Sequence, residues 1–271
     1  MTTPQCFLAA NHLHHDKFLS AHELSFSYGP VTALKDVSFE LCKGERSAVV
    51  GPNGAGKSTL FKLIVGLLAP TRGTLSFEGY DSGQRPPIAY VPQRNDVDWR
   101  FPLSVRDVVM MGRAAHIGLF GRPSAEDRRV VEEALVHVRL DGLADRQINA
   151  LSGGQQQRMF IAQALAQQAK MVLMDEPLNG LDLKAQQDVY AVLDFLREQE
   201  VTVFISTHDL DQAAAHFDRV MLLNHTMQDF DVPTRVFTPD QLSAVYGAGL
   251  RLVQTDEGYL LVGDEVAHSH G

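Results

Sequence analysis

One segment of nine residues restricts the fold of this chain more than any other. It matches the pattern GxxxxGK followed by Ser or Thr, and it consists of Gly51, Pro52, Asn53, Gly54, Ala55, Gly56, Lys57, Ser58 and Thr59. Residues 47–50 before it predict a short apolar strand, and residues from 57 to about 68 predict a helix. A strand, a glycine-rich loop and a helix in that order indicate an α/β unit that binds phosphate groups.

The residue types of this loop suit a bound nucleotide. Glycines let the backbone curl so that successive N–H groups face phosphate oxygens, and the helix N-terminus adds partial positive charge. We expect Lys57 to reach the β- and γ-phosphates and the Ser58 hydroxyl to bind Mg²⁺. A glycine-rich turn that matches by chance is the alternative, and the flanking strand and helix argue against it.

A pair of carboxylates supplies the expected second half of such a site. Residues 171–174 form a short apolar run that ends in Asp175 and Glu176. At the end of a strand, Asp175 is placed to hold Mg²⁺ through water, and Glu176 to polarise the attacking water as general base. An Asp-Glu pair alone is common at strand ends, so this prediction depends on the phosphate loop.

A third motif opens a later helix. Residues 151–155 read Leu-Ser-Gly-Gly-Gln, and Ser152 is a suitable N-cap residue. A capped helix is the simple interpretation, but the same features also make a second anion-binding helix terminus. Two phosphate-binding termini with one lysine predict that the second terminus faces a nucleotide held by another subunit.

Charge and composition exclude several classes of protein. The 271 residues carry a net charge of -9, which argues against a protein that grips nucleic-acid phosphates. Two cysteines make neither a disulfide framework nor a CxxC metal pair, which favours a reducing cytosol. No apolar run approaches the ~20 residues needed to cross a bilayer, and no signal-peptide pattern opens the sequence. We therefore expect any role at a membrane to depend on partner subunits.

Hydrophobic patterns divide the chain into three parts. Short alternating runs across residues 22–39 predict strands, whereas residues from about 95 to 165 predict a helical insertion in a parallel-sheet core. Within that insertion, Ser104 and Ser124 each begin an expected capping box. The three expected parts are a disordered leader over residues 1–17, a main domain over 18–230 and an extension over 231–271. We expect Pro239-Asp240 to break the extension.

Taken in chain order, these motifs resemble the nucleotide-binding subunit of ATP-binding cassette (ABC) transporters. The resemblance covers about residues 18–230 and rests on residues 51–59, Gln93, residues 151–155, Asp175, Glu176, Asp182 and His208. It implies an α/β fold of the P-loop NTPase (RecA-like) class, with a parallel-sheet core, an N-terminal antiparallel β part and an inserted α-helical subdomain. It also implies that the protein hydrolyses ATP and needs Mg²⁺.

The resemblance assigns further roles around one nucleotide. Tyr28 would stack on the adenine ring, and Gln93 would join the Mg²⁺ site to the transport partner. His208 would contact the γ-phosphate and hold Glu176 and the attacking water in place.

Another set of residues would belong to the opposite side of a homodimer. Ser152, Gly153 and Gly154 would clamp the γ-phosphate bound by the other subunit, with Gln155 beside them. Asp182 would lie at the dimer seam. Just before it, this sequence has Asn and Gly at residues 179 and 180, where the family more often has Ser or Thr with Ala or Gly.

The region around Gln93 indicates which type of transporter the chain resembles most. Residues 90–105, 107–113 and 116–118 closely resemble ATPases of bacterial importers for manganese, zinc and iron(II). This implies a peripheral subunit on the cytoplasmic face of the cell membrane, working with permease subunits and indirectly with a metal-binding solute-binding protein. Manganese is the first choice of cargo, then zinc or iron. Trp99 and Phe101 are candidate anchors for the permease, unless both are buried in the helical insertion.

Two alternatives remain. The first is an ATPase of a siderophore or cobalamin importer, since those ATPases have a segment similar to the one at Gly112-Arg113. The run Val97-Asp98-Trp99 instead favours free metal ions as the cargo. A soluble ABC ATPase of translation or DNA maintenance would carry two cassettes or a long coiled coil, and this chain shows neither pattern.

Overall fold

The computed structural model describes residues 16–94, 97–118, 120–247, 250–255 and 258–263. The chain forms two compact units. Among the described residues, the first unit comprises residues 16–41, 46–75 and those from 206 onward, and the second comprises Cys42–Glu45 and residues from Ser76 to Ile205. Most of the expected leader, residues 1–15, lies outside the described residues. None of the helices within the described ranges combines the length and hydrophobicity that a membrane crossing requires.

Strands and helices alternate over residues 171–224, whereas elsewhere in the described residues elements of one kind often follow one another. The strands are β1 Lys17–Tyr28, β2 Val31–Cys42, β3 Arg46–Val50, β4 Arg72–Phe77, β5 Ile88–Val91, β6 Met171–Asp175, β7 Thr202–Thr207, β8 Arg219–Asn224, β9 Thr226–Asp231, β10 Leu250–Thr255 and β11 Gly258–Gly263. The helices are α1 Lys57–Val65, α2 Val105–Met111, α3 Ala114–Ile117, α4 Ala125–His137, α5 Gly153–Ala166, α6 Leu183–Glu198, α7 Leu210–His216, α8 Pro233–Val236 and α9 Pro239–Tyr246.

The first unit contains the N-terminal sheet and the strand that leads into the phosphate loop. Strands β2, β1 and β4 lie side by side in that order, and the two-residue turn Gly29-Pro30 joins β1 to β2. Strand β3 pairs in parallel with β8, from Ser47 opposite Arg219 to Val50 opposite Leu222. Because parallel neighbours end at the same edge, the phosphate loop after β3 and the turn after β8 leave the sheet together.

The second unit places β6 between β5 and β7. Strand β5 pairs in parallel with β6, from Ile88 opposite Met171 to Val91 opposite Met174. Every residue of β6 is buried, which explains its continuous apolar sequence up to Asp175. The segment carrying Gln93 and the carboxylate of Asp175 therefore leave the sheet at one edge.

Helices α2, α4 and α5 form the predicted insertion in the second unit. Both expected capping boxes are present, at Ser104 with Asp107 and at Ser124 with Asp127. Asp127 of the second box also forms a buried ion pair, in which Arg113 Nε is 2.9 Å from Asp127 Oδ1. Arg113 also donates to the carbonyl oxygen of Ala166, so it ties the start of α4 to the end of α5.

Two sequence-based boundaries were wrong. Helix α1 ends at Val65 rather than near residue 68, because Gly66 is left-handed with φ 88° and donates its N–H back to the carbonyl of Leu63. Pro239 does not break the extension, since it occupies the first turn of α9, whose N-cap Thr238 accepts from the N–H of Gln241.

Candidate nucleotide site

The phosphate loop adopts the curled conformation that its glycines predict. Gly54 and Gly56 have φ values of 83° and 99°, in the left-handed region that suits glycine. Close backbone neighbours add a second constraint. A Cβ on Gly51 would lie 2.0 Å from the carbonyl oxygen of Leu223, and one on Gly56 would lie 2.6 Å from that of Ala33. No side chain can therefore replace hydrogen at Gly51 or Gly56 without displacing the backbone around the loop.

The start of α1 is suited to an anion. Gly56 is the N-cap, no side chain caps the helix, and its first turn contains no acidic residue. The N–H groups of this first turn have no partner within the helix, as at any helix start. Lys57 is only 6% exposed, and its Nζ donates to the carbonyl oxygens of Gly51 at 2.7 Å and Pro52 at 3.0 Å. These contacts bend the ammonium group back over the loop, so the residues present fit a phosphate chain.

The acidic pair lies at the end of β6. Asp175 is 3% exposed, and the Tyr90 hydroxyl donates to its Oδ2 at 3.4 Å. Glu176 follows with φ 48°, a left-handed conformation that is uncommon for a residue of this size. Such backbone strain costs about 1–3 kcal/mol and is concentrated at functional sites. The carboxylate of Glu176 accepts a hydrogen bond from Asn179 Nδ2 at 3.0 Å.

The Leu-Ser-Gly-Gly-Gln motif forms the start of α5. The Ser152 hydroxyl oxygen accepts from the N–H of Gln155 at 3.4 Å, and Gln155 Oε1 accepts from the N–H of Ser152 at 3.0 Å. Because an accepting hydroxyl keeps its own hydrogen, Ser152 can still donate to a phosphate oxygen. Ser152 is exposed, so this terminus is accessible on the second unit.

The two glycines after Ser152 allow close packing against neighbouring segments. A Cβ on Gly153 would lie 3.0 Å from Arg94 Nη1, and one on Gly154 would lie 2.7 Å from the Cβ of Ala185 near the start of α6. Asp182 is the N-cap of α6, where its side chain accepts from the N–H of Ala185 at 2.8 Å. The start of α5 and the start of α6 are therefore fixed against each other.

The remaining predicted residues lie at strand ends. Tyr28 is the last residue of β1, is 48% exposed and makes a T-shaped contact with Phe26 at 4.8 Å between ring centroids. His208 is exposed and directly follows β7, and Gln93 is half-buried two residues after β5. Tyr28 and His208 belong to the first unit with the phosphate loop, whereas Gln93 belongs to the second unit with the acidic pair.

Sequence reasoning missed two contacts to the acidic pair. The first is the hydrogen bond from Asn179 to Glu176, for which the three-residue spacing within a turn was the available signal. The second is the contact from Tyr90, which depends on the parallel pairing of β5 with β6 and had no local signal.

Comparison with known proteins decides the family. The ABC transporter profile matches residues 34–179, which is more than half of the chain. The chain belongs to the ABC transporter family. It is thus an ATP-binding ATPase whose hydrolysis is coupled to transport, as a component of a membrane transport system.

Transport ATPase relatives match more than four fifths of the chain. The manganese transport system ATP-binding protein MntB of Halalkalibacterium halodurans is 41% identical over 239 residues, covering 88% of this chain and 96% of the relative. The zinc transport system ATP-binding protein TroB of Treponema pallidum is 41% identical over 226 residues, covering 83% and 85%.

A solved ABC transporter structure confirms the predicted fold. It is described as an inward-facing conformation of a metal-chelate type ABC transporter. The TM-score is 0.81 at 33% identity, and the likeness covers 92% of this chain and 99% of the other. The prediction of an α/β P-loop fold with an N-terminal antiparallel sheet is confirmed by this likeness.

Proposed function

We propose that this ABC ATPase energises the uptake of a divalent metal ion through a separate membrane permease. Manganese is the preferred cargo, followed by zinc or iron. The observation that carries the proposal is the near full-length match to relatives named for manganese and zinc transport, at 41% identity. Residues 90–118, which are typical of such ATPases, support the same conclusion.

Within this proposal, the first unit binds the nucleotide. The N–H groups of the phosphate loop and Lys57 hold the β- and γ-phosphates, and the exposed ring of Tyr28 stacks on adenine. His208 contacts the γ-phosphate. The position of the Lys57 ammonium group supports this role, because its contacts with the carbonyl oxygens of Gly51 and Pro52 hold it against the loop.

The second unit supplies the groups for hydrolysis. Asp175 and Gln93, with Ser58 of the phosphate loop, would hold Mg²⁺, which neutralises charge on the β- and γ-phosphates when bound. Glu176 takes the proton of the attacking water. Its strained backbone and its bond from Asn179 orient the carboxylate before substrate arrives.

The proposed working form is a homodimer on the cytoplasmic face of the membrane. Ser152, Gly153 and Gly154 of one subunit hold the γ-phosphate bound by its partner, with Gln155 beside them and Asp182 at the seam. The exposure of Ser152 and Asp182 supports this arrangement. A symmetric dimer of one chain then has two equal sites, and its closure on ATP moves the permease halves. A solute-binding protein would deliver the metal to the permease.

A gene-deletion strain tests the cargo. Uptake of radiolabelled manganese, zinc and iron(II) would be measured in the deletion strain, then after complementation with the normal chain or with the Glu176→Gln chain. We expect manganese uptake to be lost and restored only by the normal chain. If every divalent ion still enters normally, the proposed cargo is wrong.

A metal-chelate importer is the second candidate, because the structural relative at 33% identity is described as that type. The same deletion strain distinguishes the two. Loss of siderophore or cobalamin uptake with normal entry of free manganese would support this second candidate.

A further inference from the structure

A histidine outside every motif contacts the phosphate loop. His225 lies between β8 and β9, and its backbone is left-handed with φ 59°. Histidine, asparagine and aspartate are several-fold enriched among the non-glycine residues that adopt this conformation. The residue is exposed, so packing of a buried ring does not explain its position.

His225 makes three hydrogen bonds to two different segments of the first unit. Its N–H donates to the carbonyl oxygen of Ala55 in the phosphate loop at 2.9 Å. Its own carbonyl oxygen accepts from the N–H of Lys35 in β2 at 2.8 Å. Its ring Nδ1 lies 3.2 Å from the carbonyl oxygen of Ala33. A carbonyl oxygen can only accept, so Nδ1 carries the proton in this contact.

The same part of β2 lies directly against the loop. The carbonyl oxygen of Ala33 is the atom that a Cβ on Gly56 would meet at 2.6 Å, and the Leu34 side chain lies equally close. His225 therefore joins β2 to the phosphate loop at the point where the two backbones approach each other.

Strand β2 is also one half of the hairpin that carries Tyr28. The turn is held by a hydrogen bond from Ser27 Oγ to Thr32 Oγ1 at 3.4 Å. Tyr28 and Ala33 thus lie on the two strands of one hairpin, close to its turn. Any shift of this hairpin relative to the loop would move the Tyr28 ring relative to the phosphate-binding N–H groups.

We propose that His225 is a positioning residue that sets the distance between the adenine-stacking ring of Tyr28 and the phosphate loop. This inference rests on the proposed ATP site. ATP has a fixed span between base and phosphates, so it binds well only when both contacts are correctly spaced. Inorganic triphosphate occupies the loop alone and is insensitive to that spacing.

The test compares ATP with inorganic triphosphate by calorimetry on the purified chain. His225→Gly accepts the left-handed backbone but removes the ring, whereas His225→Asn accepts it and keeps an N–H donor. We expect the Gly variant to bind ATP about threefold to tenfold more weakly, the effect of one hydrogen bond, with triphosphate affinity unchanged. The Asn variant should stay within about twofold of the normal chain for both ligands.

A double-mutant cycle separates positioning from general stability. In a Tyr28→Ala background there is no ring to align, so His225→Gly should no longer weaken ATP binding. Equal losses for ATP and triphosphate, or the same loss in both backgrounds, would overturn the inference. If Tyr28→Ala alone leaves ATP affinity unchanged, the proposed adenine site is wrong, and the positioning role fails with it.

Thermal unfolding of each variant accompanies these measurements. Should the Gly variant fail to fold, His225→Asp replaces it, because Asp tolerates the left-handed backbone but cannot donate to Ala33 when ionised. It is compared with Asn at high ionic strength, which screens the added charge. Equal ATP affinity of the Asp and Asn variants would then overturn the inference.

Discussion

Asn179 holds the carboxylate of Glu176 through a hydrogen bond of 3.0 Å from Nδ2 to Oε2. The backbone of the same turn is closed by the N–H of Asn179, which donates to the carbonyl oxygen of Glu176 at 3.2 Å. Glu176 itself is left-handed. Contacts within four consecutive residues therefore help to orient the proposed general base. The sequence departs from the usual family pattern at Asn179, the residue that donates.

The first prediction concerns proton transfer. Glu176→Gln should keep ATP affinity but stall hydrolysis, because an amide cannot take a proton from water. The variant should accumulate as an ATP-bound dimer. Turnover in the purified transporter complex and size-exclusion chromatography with ATP measure both effects. Near-normal turnover would exclude Glu176 as the base.

The second prediction concerns orientation of that base. Asn179→Ala should lower kcat about fivefold, the effect of one hydrogen bond, while KM for ATP stays nearly unchanged. Asn179→Ser, which restores the residue type more usual in the family, should recover part of the loss. Steady-state kinetics of the three proteins decide the question. A rise in KM at constant kcat would mean that Asn179 acts on nucleotide binding instead.

The third prediction concerns the composite site. A heterodimer of a Lys57→Ala chain with a Ser152→Arg chain has one doubly damaged site and one site intact in sequence. It should close on ATP at the intact site, whereas neither parent homodimer should close. To measure closure, the two chains would carry different tags. One tag would be pulled down in the presence of ATP, and the amount of the other chain recovered with it would be measured. If the Ser152→Arg homodimer closes normally, the two halves do not come from different subunits.

The fourth prediction concerns docking to the permease. Phe101 is 61% exposed, whereas Trp99 is half-buried, packs near Phe160 and donates through Nε1 to the carbonyl oxygen of Arg94 at 3.0 Å. Phe101→Ala should weaken permease docking by about 1–3 kcal/mol without lowering the chain's own stability, as expected for an aromatic hot spot. Trp99→Ala should lower both docking and stability, because its ring is partly packed.

Complex assembly, ATP affinity and metal uptake would be measured for both aromatic variants. Neither should change ATP affinity, since neither residue belongs to the phosphate loop. Leu67 is exposed to a similar degree, at 66%, so Leu67→Ala is the matched control for loss of an exposed apolar side chain. Normal assembly of the Phe101→Ala protein would refute the docking role.

The fifth prediction concerns acid stability. The side chain and backbone N–H of Ser124, followed by Arg113, lower the pKa of Asp127 to about 2. A carboxyl group with a lowered folded pKa stabilises the fold above its unfolded pKa, and this stabilisation is lost as pH falls through the folded pKa. The loss should therefore extend from about pH 4 to about pH 2.

Asp127→Asn should lower Tm at neutral pH and weaken the decline of Tm with acid. The ion pair with Arg113 is buried, with the two side chains 6% and 10% exposed, so removing one partner leaves a buried charge without its counterion. Asp98→Asn, in the exposed pair with Arg100, is the control and should change Tm little. Equal Tm values for the Asp127 variant and the normal chain at pH 7 would contradict the prediction.

Features with a fixed local spacing could be read from the sequence. The capping boxes at Ser104 and Ser124 need only residues three apart, and both are present as predicted. The curled phosphate loop likewise follows from its glycines and the flanking strand and helix. The same reasoning failed at Pro239, because proline suits either a break or the first turn of a helix, and neighbouring packing selects between them.

By itself, the sequence determined the family and the α/β fold, because each motif that identifies them depends on residue types at short, fixed separations. Only the tertiary structure decided which neighbours orient those motifs. The contact of Gly154 with Ala185, the bridge of His225 from Ala55 to Lys35, and the exposure of Phe101 all join or expose segments far apart in the chain. Such contacts have no fixed spacing, since they form only when the packed strands and helices bring distant backbones together.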